Sequence, residues 1–112
     1  MANFQVLPQA TIVRERGGRL VAKMPYHGRV YTVSLSGGNC AAIVAWTRRI
    51  GGSQSDQAGN RHILVPYWGR AYHAIVSVGT AQEILLRAGR YTERVARRAK
   101  VVAKGIVQPV LL

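Results

Sequence analysis

Acidic residues are nearly missing: Glu15, Asp56, Glu83 and Glu93 are the whole supply in a chain of 112 residues. Paired-carboxylate acid–base catalysis and Mg²⁺-assisted hydrolysis both need convergent carboxylates. Three of the four have ready structural roles, Glu15 in a hairpin, Glu83 in a helix cap and Glu93 in a helix-surface pair, while Asp56 falls in a glycine-rich link. The chain is therefore expected not to be an enzyme. Cysteine is as scarce. Cys40, standing alone, excludes an internal disulfide and a thiolate metal cluster. Its neighbours Ala41, Ala42 and Ile43 mark it as a small buried hydrophobe. His27, His62 and His73 have no ligand partner at i,i+3 or i,i+4 spacing, so neither a metal nor a cofactor is expected. Phosphate-loop and dinucleotide motifs are absent. No apolar run approaches the roughly 18 residues of a membrane span, so a membrane is not an expected partner. The opening Met1–Gln5 lacks the basic and apolar regions of a secretion signal, which points to an intracellular or particle-bound protein.

What the chain has instead is positive charge. Lys and Arg total 16, the formal charge is +12, and the pI is near 11.3. Thirteen of those sixteen are Arg. Arg presents a planar donor fork that fits phosphate bidentately and stacks on rings, whereas Lys is a hydrated point charge. Self-repulsion of this size opposes compaction, and a polyanion opposite it relieves the strain. A hydrophobic content of 48% excludes a disordered polycation. Nucleic acid, DNA or RNA, is the expected partner.

A second feature is a repeat. Met24-Pro25-Tyr26-His27-Gly28-Arg29-Val30-Tyr31 returns 41 residues later as Val65-Pro66-Tyr67-Trp68-Gly69-Arg70-Ala71-Tyr72. Ser36, Gly38, Ile43 and Arg49 keep the same offset to Ser77, Gly79, Ile84 and Arg90. The reading is a single domain, 1–112, with a duplicated hairpin-helix unit at 19–50 and 60–91 and a flexible link at 51–60. The fold class expected is α+β: an antiparallel sheet of about five to six strands with two helices on one face.

Residues 10–24 read as a hairpin around Gly17-Gly18, with Arg16 opposite Arg19 and Arg14 opposite Val21. That register puts Arg14, Arg16, Arg19 and Lys23 on an outer basic face and Val13, Leu20, Ala22 and Met24 on an inner one. Pro25 to Gly28 reads as a corner. In the strand that follows, Arg29, Tyr31, Val33 and Leu35 share a face. A helix over 40–50 is expected with Asn39 as its cap and Ile43, Trp46 and Ile50 buried. The second unit predicts strands at 61–66 and 70–78, then a helix opened by a Thr80–Glu83 capping box. On it Ile84, Ala88, Tyr91, Val95, Ala99 and Val102 form an apolar stripe, and Arg87, Arg90, Arg94, Arg97 and Arg98 lie on the other arc. The apolar segment 106–112 reads as an edge strand suited to self-association.

Two functions follow. The first is a non-enzymatic nucleic-acid-binding protein in which Arg14, Arg16, Arg19, Lys23, Arg29, Arg70, Arg87, Arg90, Arg94, Arg97 and Arg98 meet phosphate. Trp68, with Tyr26, His27 and Tyr67 at the paired corners, could then stack on bases. Tyr31 and Tyr72 are expected in the core, and the small polar strand face of Thr32, Ser34, Ser36, His73 and Ser77 is open to nucleic acid or to water. The alternative is a structural subunit of a coat, capsid or particle whose basic face meets enclosed nucleic acid or neighbouring subunits.

Overall fold

A computed structural model describes residues 7–105, with side-chain detail through residue 100. The predicted tail strand and self-association segment at 106–112, and the side chain of Val102, lie outside the described residues. The order is β1 (Thr11–Arg14), β2 (Leu20–Tyr26), β3 (Arg29–Ser34), α1 (Gly37–Arg49), β4 (Gln54–Ser55), β5 (Arg61–Tyr67), β6 (Arg70–Val76) and α2 (Val78–Gly105). The class is α+β, as expected, but the strands form two antiparallel sheets of three, β1-β2-β3 and β4-β5-β6, rather than one. Among the described residues their one backbone pairing is a parallel bridge, where Ala10 donates to the His73 carbonyl and His73 donates to the Pro8 carbonyl, each at 2.8 Å. Pro8 has no N–H of its own, which limits how far this ladder can extend.

The two units match in geometry beyond the segment that matches in sequence. β2 and β5, β3 and β6, and α1 and α2 each begin 41 residues apart. The preceding turns match too: Glu15 donates to Arg19 and Gly18 to Glu15, as Asp56 donates to Asn60 and Gly59 to Asp56. Residues 51–60, expected as a flexible link, thus carry a short hairpin in which the Asp56 carboxylate accepts from the Ala58 and Asn60 amides at 2.9 Å.

The turn at Glu15–Arg19 corrects the predicted register by one residue. Gly17-Gly18 suggests a two-residue loop, but the Glu15 amide closes on Arg19, leaving three residues in the loop. Arg14 then pairs with Leu20 and Val13 with Val21. Because faces alternate along a strand, this slip moves Arg14 to the helix side and Val13 away from it. Leu20, Ala22 and Met24 are buried inward as predicted.

Pro25 and Pro66 sit inside strands, paired with Val30 and Ala71, where a corner was expected. The hairpins close with Tyr26 opposite Arg29 and Tyr67 opposite Arg70, so their loops are only His27-Gly28 and Trp68-Gly69. In such tight hairpins the next pair inward exchanges no backbone bonds, and a proline there forfeits nothing to its partner strand.

Leu20, Ala22 and Met24 of β2 and Ile63 and Val65 of β5 join Cys40 and Ile43 of α1 and Ile84 and Ala88 of α2 in one core. The helix caps differ from prediction. Ser36 Oγ accepts the Asn39 amide and Ser77 Oγ the Thr80 amide, so serine caps both helices one turn ahead of the residues expected. Glu83 forms no capping box with Thr80; it turns to Arg14 and Arg87. On α1, Cys40, Ile43 and Thr47 are buried, while Trp46 and Ile50 are half-buried. Thr47 takes the place expected for Trp46 because β4 pairs with β5 only as far as His62. The next amide along β5, Leu64, donates to Thr47 Oγ at 3.1 Å.

Candidate nucleic-acid interface

α2 is packed for its first three turns and then leaves the body. Ile84 and Ala88 are buried, whereas every residue from Gly89 to Lys100 is exposed. Tyr91 at 37% and Val95 at 50% exposure, expected to be buried, lie on a stretch that has run past the sheets. Tyr91 still meets the start of α1. A Cβ added at Gly37 would come within 2.9 Å of Tyr91 Cβ, so glycine at the start of α1 lets the two helices approach.

The arginines divide accordingly. Arg14 donates to Glu83 at 2.5 Å and to the Gly18 carbonyl at 2.7 Å, tying the first hairpin to α2. Arg87 pairs with Glu83 at 2.7 Å and donates to the Leu35 carbonyl at 3.2 Å. The Arg14 hydrogen bond holds the Glu83 carboxyl below the usual carboxylate range. Arg14 and Arg87 thus tie the first hairpin and the Leu35 carbonyl to α2. Arg19 pairs with Glu15 at 2.9 Å, and Arg97 pairs with Glu93. Arg16, Lys23, Arg29, Arg90, Arg94 and Arg98 are exposed, with no ion pair among the described residues. Arg87, Arg90, Arg94 and Arg97 line one cleft of about 420 Å³ together with Glu93 and Gly37.

The two hairpin tips form a second concentration. Tyr26, Tyr31, Tyr67, Trp68, Arg70 and Tyr72 line a cleft of about 410 Å³. The Arg70 guanidinium lies 3.6 Å from the Tyr26 ring centroid and donates to its hydroxyl. Tyr31 and Tyr67 are 6.4 Å apart, and Trp68 stands edge-on to Tyr67 at 6.2 Å. Tyr72 is 1% exposed and donates to the Pro25 carbonyl at 3.3 Å, which binds one tip to the other. Tyr72 is in the core as expected. Tyr31, its counterpart in the first unit, is not: it is 37% exposed, because β3 meets little besides β2 whereas β6 also lies against β1.

Sequence reasoning missed one polar cluster. His62 and His73 stack at 4.8 Å with Nδ1 of His62 and Nε2 of His73 2.7 Å apart, and His62 Nε2 lies 3.1 Å from Asp56 Oδ2. His73, expected on a plain polar face, is 6% exposed. The only signal was the β5–β6 register, in which His62 opposes Ile75 and Leu64 opposes His73, making the two histidines diagonal neighbours. Among the described residues no group of three His, Cys, Asp or Glu is arranged to hold a metal.

An ionised Asp56 only accepts, so His62 Nε2–H donates to it, His62 Nδ1 accepts, and His73 Nε2–H donates. Burial, and then the His62 charge, lower the His73 value. Burial alone would raise the Asp56 carboxyl, but hydrogen bonds from Asn60, His62 and Ala58 together lower it. Both groups take up protons more readily when the chain is unfolded. Stability is therefore expected to be complete at neutral pH and to fall as pH drops from about 6.5 through the His73 value. A further fall comes as Asp56 protonates. Urea midpoints measured from pH 8 to 4 check this: His73→Gln should remove the upper step, and an unchanged profile would count against the chain of bonds.

Cys40 is fully buried with its thiol 3.7 Å from the Leu35 carbonyl, and burial pushes its pKa up, as suits a packing residue. No helix among the described residues is long and apolar enough to cross a membrane. No protein-family model, no curated protein and no solved structure matches the chain.

Proposed function

We propose that this chain is a non-enzymatic, Arg-rich nucleic-acid-binding protein that contacts mainly the phosphate backbone. The observation that carries the reading is the outer half of α2, where Arg90, Arg94, Arg97 and Arg98 are exposed along a projecting helix with Glu93 as the one acid beside them. A helix packed only for folding would not extend four like charges past its own core, where they repel one another. Arg29 at the hairpin tip and Arg16 and Lys23 on the first sheet extend the basic surface. The matched units are read as a duplication, and the protein's place as intracellular or within a nucleoprotein particle.

Binding dominated by phosphate is steeply salt-dependent, with a log–log slope of about −0.9 per phosphate on duplex DNA. Four to six contacts predict a slope of roughly −4 to −5. Affinity measured across a salt series tests this, and a slope corresponding to fewer than about three phosphates would remove the proposal.

A second reading is a structural subunit of a coat or particle. It is favoured by Leu85 and Leu86, 52% and 55% exposed on α2, and by Val95 further along. Self-association through 106–112 belongs to this reading. The two are compatible in a nucleic-acid-packaging shell.

A further inference from the structure

We infer that the cleft between the two hairpin tips is a stacking site for an unpaired base, which makes single-stranded nucleic acid the preferred form of the partner. This rests on the phosphate-binding reading and specifies its ligand. The tips are built to hold aromatic rings outward. Trp68 is 84% exposed and sits at φ +52°, a left-handed conformation that non-glycine residues adopt at a cost of strain. His27 occupies the matching place in the first tip at φ +50°. The glycine after each, Gly28 and Gly69, takes the second left-handed position that these two-residue turns demand. Nothing in the turn requires indole at its first position, where Asn, Asp or Gly is the usual residue. A large ring kept in water on a strained residue gains nothing for folding.

The surroundings suit a base and its phosphate. Tyr31 and Tyr67 line the cleft, and Tyr72, buried, fixes one tip against the other. Arg70 is held in place by Tyr26, and Arg29 stands exposed at the neighbouring tip. A stacked base would therefore have guanidinium within reach of its backbone while the ring rests on Trp68. No acid lines this cleft. Bases in a duplex are already stacked and present no open face to such a platform, whereas every base of a single strand does.

The test compares three ligands of equal length on the full chain: oligothymidylate, an abasic single strand with the same phosphates, and a duplex. Binding is read by anisotropy and by fluorescence in a Trp46→Phe background, which leaves Trp68 as the sole indole. Oligothymidylate is expected to bind roughly 5- to 100-fold more tightly than the abasic strand and to quench Trp68. Trp68→Ala should erase that difference without changing abasic binding, and Trp68→Phe should retain part of it. Equal affinity for the abasic and base-bearing strands would overturn the stacking site and leave phosphate binding intact. So would a Trp68-dependent dimer, or a Trp68→Ala loss shared by all three ligands. Phosphate binding fails separately if abasic affinity is absent or indifferent to salt.

Discussion

Replacing Arg90, Arg94, Arg97 and Arg98 together by Gln is expected to weaken nucleic-acid binding by roughly 500- to 1000-fold at physiological salt. Counterion release makes each lost phosphate contact worth a factor of about 5 there, and the salt slope should shrink by about 3.6. The four side chains are exposed, so melting should hardly move. Arg14→Gln with Arg87→Gln supplies the contrast. These two remove the partners of Glu83 and the donor to the Leu35 carbonyl, and should lower stability while leaving the slope nearly unchanged. If the slope instead follows Arg14 and Arg87, phosphate is bound at the hairpin–helix junction and not along the arm.

The second large effect falls on Tyr72. Truncation to Ala empties a fully buried aromatic site and should cost about 3–5 kcal/mol, lowering the melting temperature by roughly 15 °C or more. Tyr72→Phe removes only the hydroxyl that meets the Pro25 carbonyl and should cost about 1 kcal/mol. Tyr31→Ala, at the matching position of the first unit, should cost clearly less, about 1 kcal/mol, because its ring is already 37% exposed. Equal losses at Tyr31 and Tyr72 in thermal melts would contradict the packing described.

These contrasts bear on what was legible in the sequence. The 41-residue offset marked out β2, β3, β5, β6 and the presence of both helices, because Pro, Gly and Tyr at fixed spacing constrain the backbone wherever they recur, though it left the helix starts one turn late. The α2 arginine arc was legible from its period. Its accessibility was legible only in part, since periodicity reports which residues share a face and not where the core ends. Arg14 shows how a small local choice propagates. Glu15 pairing with Arg19 adds one residue to a loop, turns Arg14 inward, and gives it to Glu83, a residue 69 positions away. The same blindness hid the Asp56–His62–His73 chain, whose members meet only through strand register and a turn in the supposed link. The single sheet failed at Pro8 and Gln9, where one bridge forms and no ladder follows.

The outer half of α2 has a consequence for how the molecule would respond to its ligand. Beyond Ala88 the rod has little hydrophobic support apart from Tyr91 against Gly37 and Gly38, and a sparsely packed helix of such length in water lies close to its coil midpoint. Mutual repulsion among Arg90, Arg94, Arg97 and Arg98 pulls it toward coil, while a polyanion laid alongside would neutralise them and draw it back. If the proposed phosphate binding holds, helicity in this arm should rise together with occupancy by a polyanion.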